Sequence, residues 1–203
     1  MAVLDSTVFV VDDDEDVRRS LGRLLKEVGL QVEAYANAED FLEACDFNGP
    51  GCVLLDIRMP GMSGIELHKK MLDQESTLPI VMITGHGDVT MAVESMKRGA
   101  FDFIEKPFRA QRLLDSVQAA LRLDRRLRIR REARAEARGR FAALTASERD
   151  VIFRVAQGLN NREIARERGV SSQSVDALRS KAMRKLRVEN VADLVRLFDE
   201  AKR

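Results

Sequence analysis

The sequence is short of cysteine, of proline and of long apolar runs, and each scarcity closes off a class of protein. Its two cysteines, Cys45 and Cys52, both stand beside apolar residues. Two thiols make no disulfide framework, so they read as reduced, and with no signal-peptide pattern at the start the expected location is the cytoplasm. No uninterrupted apolar stretch approaches the roughly 20 residues that a membrane-spanning helix needs, so no membrane association is expected. Proline occurs four times in 203 residues and not at all between 121 and 140, where nothing therefore interrupts a helix.

Charge is plentiful but divided. Residues 1–120 carry 12 Lys and Arg against 21 Asp and Glu, whereas residues 121–203 carry 22 against 12. The formal net charge of +1 thus conceals an acidic half and a basic half. A concentration of basic charge points to a polyanionic partner, with nucleic acid the first candidate.

The acidic half contains four short apolar runs, Thr7 to Val11, Cys52 to Leu55, Pro79 to Ile83 and Phe101 to Glu105. Each is rich in Val, Ile, Leu or Phe and reads as a strand buried on both faces. Amphipathic stretches separate them: Val17 to Val28, Ala38 to Ala44, Ile65 to Leu72, Val89 to Met96 and Arg112 onwards. Gly29, Gly64 and Gly99 stand at helix boundaries, and Pro60 and Pro107 mark turns after strands. This alternation predicts a doubly wound parallel sheet, in which ligand chemistry sits at the carboxyl ends of the strands. The polar residues at those ends are Asp12 and Asp13, Asp56, Thr84 and Lys106. Two carboxylates brought to about 5 Å repel by about 3 kcal/mol at an effective dielectric of about 20, so the pocket asks for a cation. Hard oxygen donors favour magnesium. Asp14 and Glu15 are read differently, as acidic residues favouring a helix start.

The segments VVDDD, VLLDIRMPGMSGIEL, IVMITGHGD and FDFIEKPF, in that order, resemble the receiver domain of bacterial two-component response regulators over about the first 120 residues. The resemblance implies a five-stranded sheet of order 2-1-3-4-5 and a phosphoryl group accepted on Asp56 from a sensor histidine kinase. It implies Mg2+ (or Mn2+) bound directly by Asp13 and Asp56, through water by Asp12, and by the carbonyl of Arg58. Lys106 would meet the phosphate, while Thr84 and Phe103 would switch position in response. His68 and His86 lie in no kinase motif, so the chain should receive phosphate rather than make it from ATP, and no enzyme is expected. An aspartyl phosphatase commonly has a second acidic residue two positions after its nucleophile; here that position holds Arg58.

Between Leu121 and Arg140 lie nine Arg and three acidic residues, which predicts a long linker helix. It reads either as a solvated arm or as a coiled-coil arm with Val117, Leu121 and Leu127 in a seam. Four further helices are expected: from Thr145 or Ser147 to Gly158, from Arg162 to about Arg168, from Ser171 or Ser172 to Leu186, and from about Val191. Gly169-Val170-Ser171 is the short turn of a helix-turn-helix.

LTASERDVIFRVAQGLNNREIARERGVS and SVDALRSKAMRKL resemble the LuxR-type helix-turn-helix domain. Receiver plus this domain resembles the FixJ type of response regulator. The expected domains are a receiver at 1–120, a linker helix at 121–140 and an all-α four-helix DNA-binding domain at 141–203. Candidate phosphate contacts are Asn161, Arg162, Arg179, Lys181, Arg184 and Lys185. Gln173, Asp176, Ala177 and Ser180 lie toward the major groove, with Asp176 placed either to accept from cytosine or to pair with Arg179. On the last helix Leu194 and Phe198 read as core, and Val191 and Val195 as a dimer contact. The function expected is a transcription factor that dimerises on phosphorylation and binds double-stranded DNA beside RNA polymerase. The alternative is an output through protein interaction with a degenerate DNA domain.

Overall fold

The computed structural model describes residues 6–85 and 89–202 and divides into two compact units, Met1–Arg128 and Ile129–Arg203. The expectation for His86 lies outside the described residues.

In the first unit five strands, β1 (Thr7–Val11), β2 (Gln31–Tyr35), β3 (Gly51–Asp56), β4 (Ile80–Thr84) and β5 (Asp102–Glu105), alternate with α1 (Glu15–Glu27), α2 (Ala38–Ala44), α3 (Gly64–Asp73) and α4 (Val89–Lys97). The helix α5 (Ala110–Ala142) follows. The sheet has the order β2-β1-β3-β4-β5, and its pairings are all parallel. Alternate side chains of each central strand face opposite sides. Phe9, Val11, Val53, Leu55 and Met82 pack on one side with Phe41, Leu67 and Met71. Val8, Val10, Cys52, Leu54, Val81 and Ile83 pack on the other with Leu21, Leu25, Leu113 and Val117.

Three expectations change. Burial on both faces holds for β3 and β4 and nearly all of β1, whereas β5 buries only Ile104. It is an edge strand, covered by one neighbour. It also starts at Asp102, after Phe101. The sequence runs omit β2, whose Gln-Val-Glu-Ala-Tyr composition reflects an edge with little buried surface. Finally, Val117 and Leu121 do not form a partner-facing seam: they are buried at 0% and 5% exposure in the core of the first unit. The compact unit that contains them ends at Arg128.

The second unit contains α6 (Ala146–Ala156), α7 (Asn161–Arg168), α8 (Ser172–Leu186) and α9 (Val191–Lys202). Its core gathers Val151, Ile152, Ile164, Val175, Ala182, Leu186, Leu194 and Leu197. Capping sets the helix limits. Thr145 with Glu148 and Asn160 with Glu163 form reciprocal capping boxes, which satisfy amides that a helix start leaves without partners. Gly169 closes α7 at φ 65°, a left-handed conformation that glycine adopts without penalty. Ser171 then caps α8, accepting from the Ser174 amide.

Gly64 ties the α3 start to the end of β3. Its amide donates to the Ile57 carbonyl at 3.0 Å, and a Cβ there would stand 2.1 Å from the Asp56 carbonyl oxygen. Backbone must shift to admit it. Gly64→Ala is expected to destabilise the first unit by about 1–3 kcal/mol, the usual cost of overpacking. A urea titration followed by a probe placed in that unit checks this; an unchanged midpoint would show that the strand end yields freely.

Candidate functional site

Parallel register brings the acidic residues to one edge of the sheet. Val11 pairs with Leu55, Asp56 with Ile83, and Thr84 with Glu105, so Asp12, Asp56, Thr84 and Lys106 all lie at strand ends. Asp12 and Asp56 are buried, at 1% and 5% exposure. One ammonium joins them: Lys106 Nζ donates to Asp12 Oδ2 at 2.8 Å and to Asp56 Oδ1 at 2.7 Å. The second oxygens are also engaged. Asp12 Oδ1 accepts from the Asp14 amide at 2.9 Å, and Asp56 Oδ2 accepts from the Arg58 amide at 2.7 Å.

Burial is the largest influence on Asp56 and, with Asp12, raises its pKa above the ordinary value against the opposing pull of Lys106. Burial also acts first on Lys106 and would lower its pKa, but two carboxylate partners outweigh it and the net direction is upward. These directions agree. Lys106 sees two opposite charges, whereas Asp56 sees one opposite and one like charge.

Of the three carboxylates expected at this edge, Asp12 and Asp56 are buried together at Lys106. Asp13 is exposed, and among the described residues no group of three or more His, Cys, Asp or Glu side chains is placed to hold a metal ion. Asp14 serves as the α1 cap, its carboxylate accepting from the Asp16 and Val17 amides. Thr84 is buried at 1% exposure, and its hydroxyl donates to the Gly85 carbonyl at 3.2 Å rather than to Asp56. Phe103 is partly buried against the core beside α3. His68, on α3, is buried rather than solvent-facing, and burial lowers its pKa.

In the second unit, Arg162, Gln173, Asp176, Ala177, Ser180, Lys181 and Arg184 are exposed on α7 and α8. Asp176 does not pair directly with Arg179. The Asn161 amide stands between them, donating to Asp176 Oδ1 at 2.9 Å and accepting from Arg179 at 3.0 Å. This bridge holds α7 to α8 and was not legible in their sequence spacing. Lys185 is placed differently from Lys181: it donates to buried Glu148 at 2.7 Å and to the Ala143 carbonyl at 3.3 Å. Its ammonium ties α8 to the α6 start. Leu194 is core and Phe198 packs against Phe141, with ring centroids 4.5 Å apart. Val191 and Val195 remain 36% and 39% exposed.

Residues 8–118 match the response regulator receiver domain, and residues 142–198 match the luxR family of bacterial regulatory proteins. The chain belongs to the response regulators that join these two domains. It is 41% identical to nodulation protein W of Bradyrhizobium diazoefficiens over 192 residues, covering 95% of this chain and 85% of that one. It is 40% identical to the transcriptional regulatory protein FixJ of the same organism, covering 94% and 93%. Among solved structures, the response regulator StyR superposes with a TM-score of 0.90 at 42% identity, covering 97% and 99% of the two chains. Full-length FixJ from B. japonicum gives 0.60 at 38% identity over 98% of each. This response regulator therefore acts in phosphorylation-dependent control of transcription. Among the described residues, no helix is long and apolar enough to cross a membrane.

The raised pKa of Asp56 has a consequence for stability. The folded state keeps this proton to higher pH than the unfolded state, so the stabilising effect is present below the unfolded pKa and lost as pH rises through the folded one. At neutral pH the ionised carboxylate then costs stability. In magnesium-free buffer, Asp56→Asn is expected to raise the melting temperature of the receiver at pH 7 by a few degrees, with the gain shrinking toward pH 4. Calorimetry across that range tests the sign, and a lower melting temperature at pH 7 would reverse it.

Proposed function

We propose that Asp56 is the phosphoryl acceptor and that the second unit delivers the output by binding operator DNA as a dimer. The carrying observation is the convergence of Asp12 and Asp56 on Lys106. Two carboxylates against one ammonium leave the buried group one negative charge in excess, and all its remaining donors are hard oxygens. That donor set fits magnesium, which takes one or two protein carboxylates and keeps several waters. Asp12 and Asp56, with exposed Asp13 and the Arg58 carbonyl nearby in sequence, would hold it. When bound, the ion neutralises charge on the incoming phosphoryl oxygens.

The chain's own groups then have distinct tasks. Asp56 Oδ attacks phosphorus while the bond from phosphorus to the histidine nitrogen of a sensor kinase breaks, giving an acyl phosphate and a free imidazole. Lys106 leaves its position between two carboxylates to meet the new phosphate oxygens. The Thr84 hydroxyl, held by a neighbouring carbonyl, exchanges that acceptor for the phosphate, and Phe103 fills the space it leaves. The absence of an acidic residue at Arg58 supports an acceptor role over hydrolytic turnover. A small phosphodonor with magnesium is expected to label the protein with an acid-stable, base-labile phosphate. Chelation or Asp56→Asn should abolish labelling, and a label mapped to another residue would reject the assignment.

For the second unit the reading rests on exposed α8. Lys181, Arg184, Arg162 and Arg179 supply charge to DNA phosphates, while Gln173, Asp176, Ala177 and Ser180 face the base edges. Lys185 supports the helix from within through Glu148. Dimerisation through Val191 and Val195 would join two half-site contacts, and an adjacent RNA polymerase would read the result. Lys181→Ala and Arg184→Ala should each weaken binding to all duplex sequences and reduce the slope of log affinity against log salt by about 1. Fluorescence anisotropy at four salt concentrations decides it: slopes equal to the parent protein's would remove α8 from the interface and favour an output through protein contacts.

A further inference from the structure

The first unit has a second recess at the amino-terminal edge of its sheet, opposite the acidic pocket. Its volume is about 510 Å3, and it is lined by residues that precede three strands: Ser6 before β1, Leu30 before β2 and Pro50 before β3. Leu30 and Leu121 are buried at 8% and 5% exposure, and with Pro50 they make an apolar floor. Along its α5 wall stand Gln118, Arg122, Arg125 and Arg128. Intervals of three and four residues place these side chains along one helix face.

The charge on that face is not consumed locally. Among the described residues, Arg122, Arg125 and Arg128 make no hydrogen bond or ion pair. The carboxylate on the same wall, Asp124, is buried at 2% exposure, and its Oδ2 accepts from the Gly51 amide at 3.2 Å. A solvated arginine face needs no apolar recess beneath it, and an apolar core contact needs no cations above it. The two together match a molecule with an anionic head and an apolar body. Guanidinium forks suit a carboxylate in both geometry and charge, and the volume lies within the range of small-ligand sites.

We propose that this recess binds a small amphiphilic carboxylate, its head against Arg122, Arg125 and Arg128 and its apolar body against Leu30, Pro50 and Leu121. Nothing in the phosphoryl-transfer chemistry requires such a ligand, so the site is a separate input to the receiver. Isothermal titration of the full-length protein in phosphate-free buffer tests it with sodium octanoate, sodium decanoate, decanol and inorganic phosphate, all below micellar concentrations. Decanoate should bind one to one and roughly tenfold tighter than octanoate, because each buried methylene strengthens binding about fourfold and two are added with partial burial. Decanol and phosphate should each bind at least tenfold more weakly than decanoate. The double substitution R122Q/R125Q, at exposed positions, should cut decanoate affinity about tenfold while leaving the thermal transition unchanged. Equal binding of decanol would leave an apolar groove only, and equal binding of phosphate a bare anion patch; either overturns the proposal. A need to remove residues 1–5 before decanoate binds would assign the recess to the chain's own start and overturn it as well.

Discussion

The receiver pocket depends on one ammonium shared by two buried carboxylates. Without Lys106, Asp12 and Asp56 would meet at adjacent strand ends with no cation between them, and the parallel register that aligns β1 with β3 would work against itself. With it, the ends of β1, β3 and β5 are joined, yet the charge is left unbalanced by one. A fully neutral pair would be a structural ion pair and nothing more. The pKa of Asp56 is raised first by burial and further by the Asp12 charge, and Lys106 offsets these only in part. Function here costs stability, as expected where titratable groups are buried for chemistry.

An analogous division of labour appears in the DNA-binding unit. Glu148 closes the capping box at the α6 start and accepts from Lys185 of α8. The Lys185 hydrogen bond is the largest of the influences that lower the Glu148 pKa. Asn161 joins α7 to α8 through Asp176 and Arg179. Side chains that look alike in the basic sequence therefore separate into supports and free contacts. Lys185 ties α8 to Glu148 and Arg179 bonds Asn161 of α7, whereas Lys181 is exposed.

Much of this was legible because the signals were local or periodic. Buried β3 and β4 announced themselves as continuous apolar runs, and the helix limits near Thr145, Gly169 and Ser171 followed from capping chemistry. The convergence of Asp12, Asp56 and Lys106 was also readable, since a parallel sheet gathers the carboxyl ends of its strands. What escaped depended on tertiary neighbours. β2 has mixed polarity because it is an edge, and Val117 and Leu121 resemble a seam until the sheet they cover is known. Asp12 and Asp13 are adjacent and chemically identical, yet Asp12 is buried and Asp13 exposed, a difference in burial that the run of three Asp does not show. The Asn161 bridge had no sequence signal, because its partners lie 15 and 18 residues away.

The division of charge constrains how a phosphoryl signal can reach DNA. The receiver part is already strongly acidic, and phosphorylation adds roughly 1.5 to 2 further negative charges. Bulk electrostatics would therefore oppose DNA association on activation rather than promote it. A gain in operator affinity has to come from a change in shape or assembly that outweighs this repulsion. On the reading proposed above, the groups that would begin it are Lys106, shared between two carboxylates, and Thr84, whose hydroxyl donates to its neighbour's carbonyl. A coupling of about 1–3 kcal/mol is enough to shift binding about 5- to 150-fold. If that coupling acts through dimerisation, two half-site contacts become one bivalent contact, and affinity rises without any new charge on α8. The acidic receiver and the basic helix can then keep opposite signs, because the message between them is carried by geometry and stoichiometry.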